Sequence, residues 1–168
     1  MTLSTDGINQ AIRELRDYQR FVIERTEVLR NRISEYIRDH AELGFDSSIG
    51  DDFVNGQMRM CDVDVETDDQ GNVTVVIANG RDAVFVEFGA GVYHNGAVGG
   101  SPHPLGAGLG FTIGSFGKGY GSRNVWGYRD AGGALHLTHG VPATMPMYKA
   151  LMAARNDLAD IAREVFGN

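Results

Sequence analysis

Hydrophobic residues fall at Ile8, Leu15, Val22, Leu29 and Tyr36, one every seven positions, and Ile12 and Ile33 sit four positions after members of that series. This is the spacing of one helical face, and it predicts a single long helix over 6–42. The second row of the face is interrupted, because Gln19, Thr26 and His40 occupy places where an unbroken stripe would be apolar. Asp6 is the expected N-cap and Gly44 the expected stop. At 1.5 Å per residue the helix reaches roughly 50 Å, farther than a small sheet extends. Either one end projects or the helix breaks. Its apolar face either packs on the chain's own core or docks in part on another subunit.

The pattern changes after the helix. Residues 45–55 (FDSSIGDDFVN) are polar and rich in turn formers. Met58 and Met60 then alternate in one phase, and Cys61, Val63 and Val65 in the opposite one. That slip predicts a strand with a β-bulge or kink at 60–61. A second strand, NVTVVIA over 72–78, follows across DDQGN, so the two read as a hairpin. The stretch AVFVEFG is read as a short helix, with Asp82 as N-cap, Gly89 beyond its end, and Val84 and Phe88 one turn apart. VWGYR (125–129) and ALHLT (134–138) flank DAGG as a second hairpin. From about 145 to 166, Met147, Leu151, Ala154, Leu158, Ile161 and Val165 repeat at intervals of three and four, an amphipathic closing helix.

Between the two hairpins lies a glycine-rich stretch, 89–122, that includes GAGLGFTIGSFGKGYGS. Loops of this length in a compact domain are functional or disordered. Phe111, Ile113, Phe116 and Tyr120 would be costly to leave in water, so the stretch is expected to be an arm or assembly loop that orders on a partner. The whole chain, 1–168, reads as one α+β domain. A mostly antiparallel sheet of about four strands is expected, packed by the long N-terminal helix and the C-terminal helix.

Charge and composition narrow the function. The net charge of −7 makes the chain a poor candidate for gripping nucleic acid, because that affinity comes from Lys and Arg. It leaves room for a surface that DNA slides past. The single cysteine, Cys61, excludes a disulfide framework within the chain and points to a reducing compartment. The first sixteen residues lack the basic-then-apolar order of a signal peptide, and no apolar run is long enough to span a bilayer.

Candidate chemistry is sparse. GSFGKG has the look of a phosphate loop, but Thr112 stands where the first glycine belongs and Gly119 follows Lys118 where Ser or Thr is needed. His94, His103, His136 and His139 lie in the second half, and the pair at 136 and 139 has no strong metal-ligand spacing. Cys61 sits among methionines, which suits a buried inert thiol, and G-x-S-x-G is absent. No catalytic residue, cofactor or metal is therefore expected. Glu87 remains the unusual residue, one acid in an apolar run beside Tyr93 and His94. An acid–base pair with His94 is one reading. The simpler one is that Glu87 points away from the apolar cluster and bonds amides of the glycine turn or an Arg, with an intersubunit pair as the remaining option.

Two stretches carry a resemblance. Val86, Glu87, Phe88 and Gly89, and later Gly140, Pro142, Ala143, Pro146 and Ala150, resemble the two motifs of the tail-component or tail-completion family of long-tailed double-stranded DNA phages. Met147 replaces the usual aromatic, Ala90 stands where Thr or Ser is common, and 99–122 resembles an insertion. The resemblance implies a non-enzymatic structural protein of the virion neck, made in the bacterial cytoplasm. It would form a ring of six copies that completes the head or tail and joins the portal–adaptor assembly to the tail tube. It further implies head-completion or adaptor, tail-terminator or tail-tube proteins as partners, no membrane, and DNA passing through the lumen without sequence-specific binding. The motif residues would then lie at interfaces. The alternatives are a tail terminator or minor capsid protein and, from another class, a small metal- or nucleotide-dependent enzyme.

Overall fold

A computed structural model of the chain describes residues 4–52, 57–60, 62–80, 82–91, 101–110, 126–129, 132–138 and 140–167. The first element, α1 (Thr5–Asp46), is one continuous helix of 42 residues. It starts earlier and ends later than its pattern implied. Its N-cap is Ser4, not Asp6, and the Ser4 hydroxyl accepts a hydrogen bond from the Gly7 amide at 3.2 Å. Gly44 does not stop it. The glycine is there for contact: a Cβ at that position would lie 2.8 Å from Pro146 Cβ. The helix closes at Ser47, whose amide donates to the Leu43 carbonyl. The Ser48 hydroxyl then bonds the Gly44 carbonyl at 2.8 Å and the Thr144 hydroxyl at 2.7 Å.

The strands are short and antiparallel. β1 (Ile49–Asp52), within the stretch expected to be turn, pairs with β2 (Gln57–Met60). β3 (Asp64–Asp69) and β4 (Thr74–Asn79) form a separate hairpin, with Gly71 at φ 78° in its turn. The phase slip at 60–61 is therefore not a bulge inside one strand. It separates β2 and β3, which belong to different sheets. The hairpin lies against α1, where Arg30 donates to the Gly71 carbonyl and to the Asp69 carboxylate.

The short helix forms as α2 (Ala83–Phe88) and is followed by the two-residue strand β5 (Ala90–Gly91). β6 (Trp126–Arg129) pairs with β7 (Leu135–Thr138), the second hairpin. β8 (Gly140–Val141) joins β1 to β5, giving a sheet in the order β2-β1-β8-β5. The last helix is α3 (Pro146–Phe166). The class is α+β, with helices packed beside small antiparallel sheets. The two hairpins stay separate instead of merging into one sheet.

The core gathers where these elements meet. Phe45 of α1 and Val86 of α2 are fully buried, and Ala41, Val65, Ala83 and Ala150 pack around them. Burial of side chains as large as Phe45 contributes about 1.5–3 kcal/mol each. α1 and α3 run antiparallel: Gly44 meets Pro146 at one end, and the Tyr36 hydroxyl donates to Asp157 at 2.5 Å farther along. Small residues on α3 (Ala150, Ala154) allow the close approach.

Candidate functional site

Glu87 is the second-last residue of α2, in a turn otherwise made of apolar side chains. It does not point out of the apolar cluster. It is buried, only 7% exposed, and points across the core to the start of α3. Its Oε2 accepts the Met147 amide at 2.9 Å and its Oε1 accepts the Tyr148 amide at 2.9 Å. These two N–H groups belong to the first turn of α3, where no earlier carbonyl is available to accept them. Glu87 therefore caps α3 from another helix. The amides of the glycine turn and an arginine, the partners expected for it, are not what it bonds.

The local sequence of α3 explains the need. Its N-cap position is Met145, which has no side-chain acceptor, and Pro146 follows as the first helical residue. Met145 sits at φ 57°, ψ 52°, the one non-glycine positive φ among the described residues. Left-handed backbone at such a residue stores about 1–3 kcal/mol and persists only where its surroundings impose it. Here the Val86 carbonyl accepts the Thr144 amide at 3.0 Å, and Glu87 holds the next two amides after the proline. The positive end of the α3 dipole faces the carboxylate.

The third donor to Glu87 is His103, itself only 5% exposed, whose Nε2 lies 3.1 Å from Oε1. The tautomer follows from the other ring nitrogen. The Leu105 amide donates to Nδ1 at 3.0 Å, so Nδ1 carries no proton and Nε2–H donates to the carboxylate. The imidazole ring is held between Phe88, at 4.5 Å between centroids, and Tyr148, edge-on at 5.1 Å. Ser101 ties the same loop to α2 through the Phe88 carbonyl and accepts the His103 amide at 3.2 Å. Both nitrogens of His103 are thus engaged within the fold. The geometry locks three segments together: α2, the turn at 101–106, and the start of α3.

The two sequence motifs meet at this joint. Gly89, at φ 80° and ψ 155°, brings its backbone against Ala143, where a Cβ would lie 3.2 Å from the alanine's Cβ. Ala90 and Gly91 pair with Val141 and Gly140. Pro146 is buried and Pro142 exposed. So Val86, Glu87, Phe88 and Gly89 lie beside Gly140, Ala143 and Pro146. Tyr93, His94, Cys61, Lys118, His139 and the loop residues Phe111, Ile113, Phe116 and Tyr120 lie outside the described residues. His103 had stood out only as one of several histidines, and the Glu87–His103 pair had no signal in spacing.

Among the described residues, no group of three or more His, Cys, Asp or Glu side chains is placed to hold a metal ion. No helix among them is long and apolar enough to cross a membrane. Compared with protein-family models, with curated proteins and with solved structures, the chain matches none.

Proposed function

We propose that this chain is a structural protein of a phage neck. Six copies form a ring that completes the head or tail and joins the portal–adaptor assembly to the tail tube around the DNA channel. The observation that carries this reading is the joint at Glu87. The two short stretches that resemble the tail-completion motifs lie 51 residues apart, from Gly89 to Gly140, yet fold into one hydrogen-bonded unit. Two stretches that are far apart in sequence are thus one connected unit in the fold, and that supports reading them together.

Two further features favour the reading. The net charge of −7 suits a channel wall past which DNA moves without adhering. The first half of α1 exposes large apolar side chains, a surface suited to a partner. The turn at 101–106 is anchored on this chain's own α2, so in this proposal the arm that orders on a neighbouring copy is the part of the glycine-rich stretch beyond it, with Phe111, Ile113, Phe116 and Tyr120 as its contacts.

Electron microscopy of purified virions of the encoding phage tests the proposal. The expected map has a six-fold ring of this chain between the portal assembly and the tail tube, with the arm against an adjacent copy. Absence of the protein from purified virions overturns it.

A further inference from the structure

α1 outruns everything it packs against. From the contact of Tyr36 with Asp157, the last turn of α3 at Phe166 comes level with about residue 27 of α1. The hairpin turn reaches Arg30. Residues 4 to 21 lie ahead of both points and are all exposed. This half of the helix carries two adjoining rows. Ile12, Leu15 and Ile23 share one face and are exposed, Leu15 at 67%. Arg13, Arg16 and Arg20, spaced by three and four, run along one flank of that face. Arg20 leans to Asp17, and Arg16, next to Ile12, has no acid three or four positions away. A surface that fits this helix needs apolar side chains beside acids that lack a base of their own.

The outer face of the β3–β4 hairpin has that composition. Residues 60–80 hold five acids and no Lys or Arg. Val65, Val76 and Ala78 turn inward to the core. Alternation then places Asp64, Glu66 and Asp68 on the opposite face, where all three are exposed. Val75 stands opposite Asp68 and Ile77 opposite Glu66, an apolar row along the acidic one. Val75 is 36% exposed. The inner face of the hairpin already lies on α1 of its own chain, where Arg30 pairs with Asp69 at 3.2 Å. An arginine of α1 against an acid of the hairpin is therefore a contact that the fold itself uses.

The other exposed apolar residues are set differently. Leu151 and Leu158 lie on α3, which has three acids and three bases, with Asp160 already paired to Arg163. Leu105 and Leu109, and Leu135 and Leu137, lie in the stretches 101–110 and 132–138, which carry no acid. Leu43 has acids close by but no second exposed apolar side chain one turn away. A second α1 laid on the apolar face would bring Arg16 and Tyr18 to its flanks, and no acid. The chain's own hairpin is out of reach, because its outer face points away from α1 and α1 is one continuous helix.

We propose that the projecting half of α1 packs on the outer face of the β3–β4 hairpin of a second copy of the chain. Ile12, Leu15 and Ile23 cover Val75 and Ile77, and Arg13, Arg16 and Arg20 meet Asp64, Glu66 and Asp68. The arginine row is about 10 Å long and the acidic row about 13 Å, so the pairs can form together. The contact joins two different surfaces, so each copy both gives and receives one. Such head-to-tail contacts close into a ring or continue as a filament. The proposal rests on the ring reading, which it deepens by naming the surfaces, and it can fail without the neck assignment failing.

Charge reversal tests it. Arg16→Glu alone and Glu66→Lys alone should each weaken self-association by about tenfold or more in sedimentation velocity. The chain carrying both should associate as the parent does. An equimolar mixture of the two single variants should do so too, because the reversed helix of one then meets the reversed hairpin of the other. Both side chains are exposed, so thermal unfolding should match the parent's. A cross-link gives a readout that does not depend on charge. In a Cys61→Ser background, Leu15→Cys and Val75→Cys on separate chains, mixed with a short bis-maleimide, should form dimers that neither chain forms alone. A parent that stays monomeric, a double variant that associates no better than the single ones, or no link in the mixture overturns the contact. Dimers from Leu15→Cys alone would mean that α1 pairs with α1 and overturn it equally. Charge rescue and mixed-chain links in a protein absent from virions would sink the neck assignment alone. A neck protein without them would sink only this contact.

Discussion

Replacing Glu87 by alanine removes the acceptor for three donors at once: the Met147 and Tyr148 amides and His103 Nε2–H. A buried donor left unpaired costs about 1–3 kcal/mol, and loss of a helix cap about 1 kcal/mol. These effects overlap, because the two amides are the cap. The combined loss comes to about 3–5 kcal/mol, similar to that of breaking one side of a buried ion pair. For a chain of this size that corresponds to a melting temperature lower by about 10 °C. Glu87→Gln is the sharper variant. It keeps the shape but offers one oxygen and one NH2. If the oxygen serves Tyr148 and His103, the NH2 faces the Met147 N–H, donor against donor. Turning the imidazole to the other tautomer strands the Leu105 amide instead. The Gln variant should therefore lose about 1–3 kcal/mol despite being isosteric. Urea unfolding at one fixed protein concentration reads both values. Alanine within about 1 kcal/mol of the parent would refute the capping argument. A Gln variant as stable as the parent, or more so, would refute it too, since that is the behaviour of a group kept for activity at the expense of stability.

Two other expectations follow from the α1–α3 contact. Gly44→Ala adds a methyl 2.8 Å from Pro146 Cβ. Helix propensity favours the change by up to about 1 kcal/mol, but overpacking opposes it by about 1–3 kcal/mol, so net destabilisation in urea is expected and a gain would show that the helices can part freely. The hydrogen bond to Asp157 raises the Tyr36 pKa above its ordinary value of 10.0, aided by burial and by the carboxylate charge. A raised value means that the fold favours the protonated phenol. The stabilisation is complete below about pH 10 and is lost as the pH rises through the higher folded value. Ultraviolet phenolate titration of the folded chain should show Tyr36 ionising late, and Asp157→Asn should bring that transition down. No movement would remove the hydrogen bond as its cause.

Local patterns were legible where they depend on near neighbours. The heptad of α1, the β-branched run of β4, Gly89 beyond α2 and the DAGG turn each yielded an element near its observed position. The pairing of β3 with β4 and of β6 with β7 across their turns was legible too. What could not be read is that the break between Met60 and Val63 sends β2 to β1, in a separate sheet with β8 and β5, which only tertiary pairing shows. The Glu87 site was hidden for the same reason, with its donors 60 and 61 residues away. One clue was present. α3 begins at Met145-Pro146 with no Ser, Thr, Asp or Asn in the capping position. A helix start without its own acceptor and a lone acid in an apolar turn are complementary deficits, and pairing them would have pointed to the contact.

The pairing of Ala90 and Gly91 with Val141 and Gly140 has a consequence for how such a chain can change. The 48 residues from 92 to 139 begin and end at adjacent points, and between those points the turn at 101–106 and the β6–β7 hairpin belong to the fold. The length of the stretches joining them is therefore nearly free. Doubling a loop whose ends are already fixed adds only about 0.6 kcal/mol of closure entropy. Insertions there leave the packing of α1, α2 and α3 untouched, provided that the turn bearing His103 keeps its place. The stretches on either side of the His103 turn can be lengthened or shortened on a frame that stays the same.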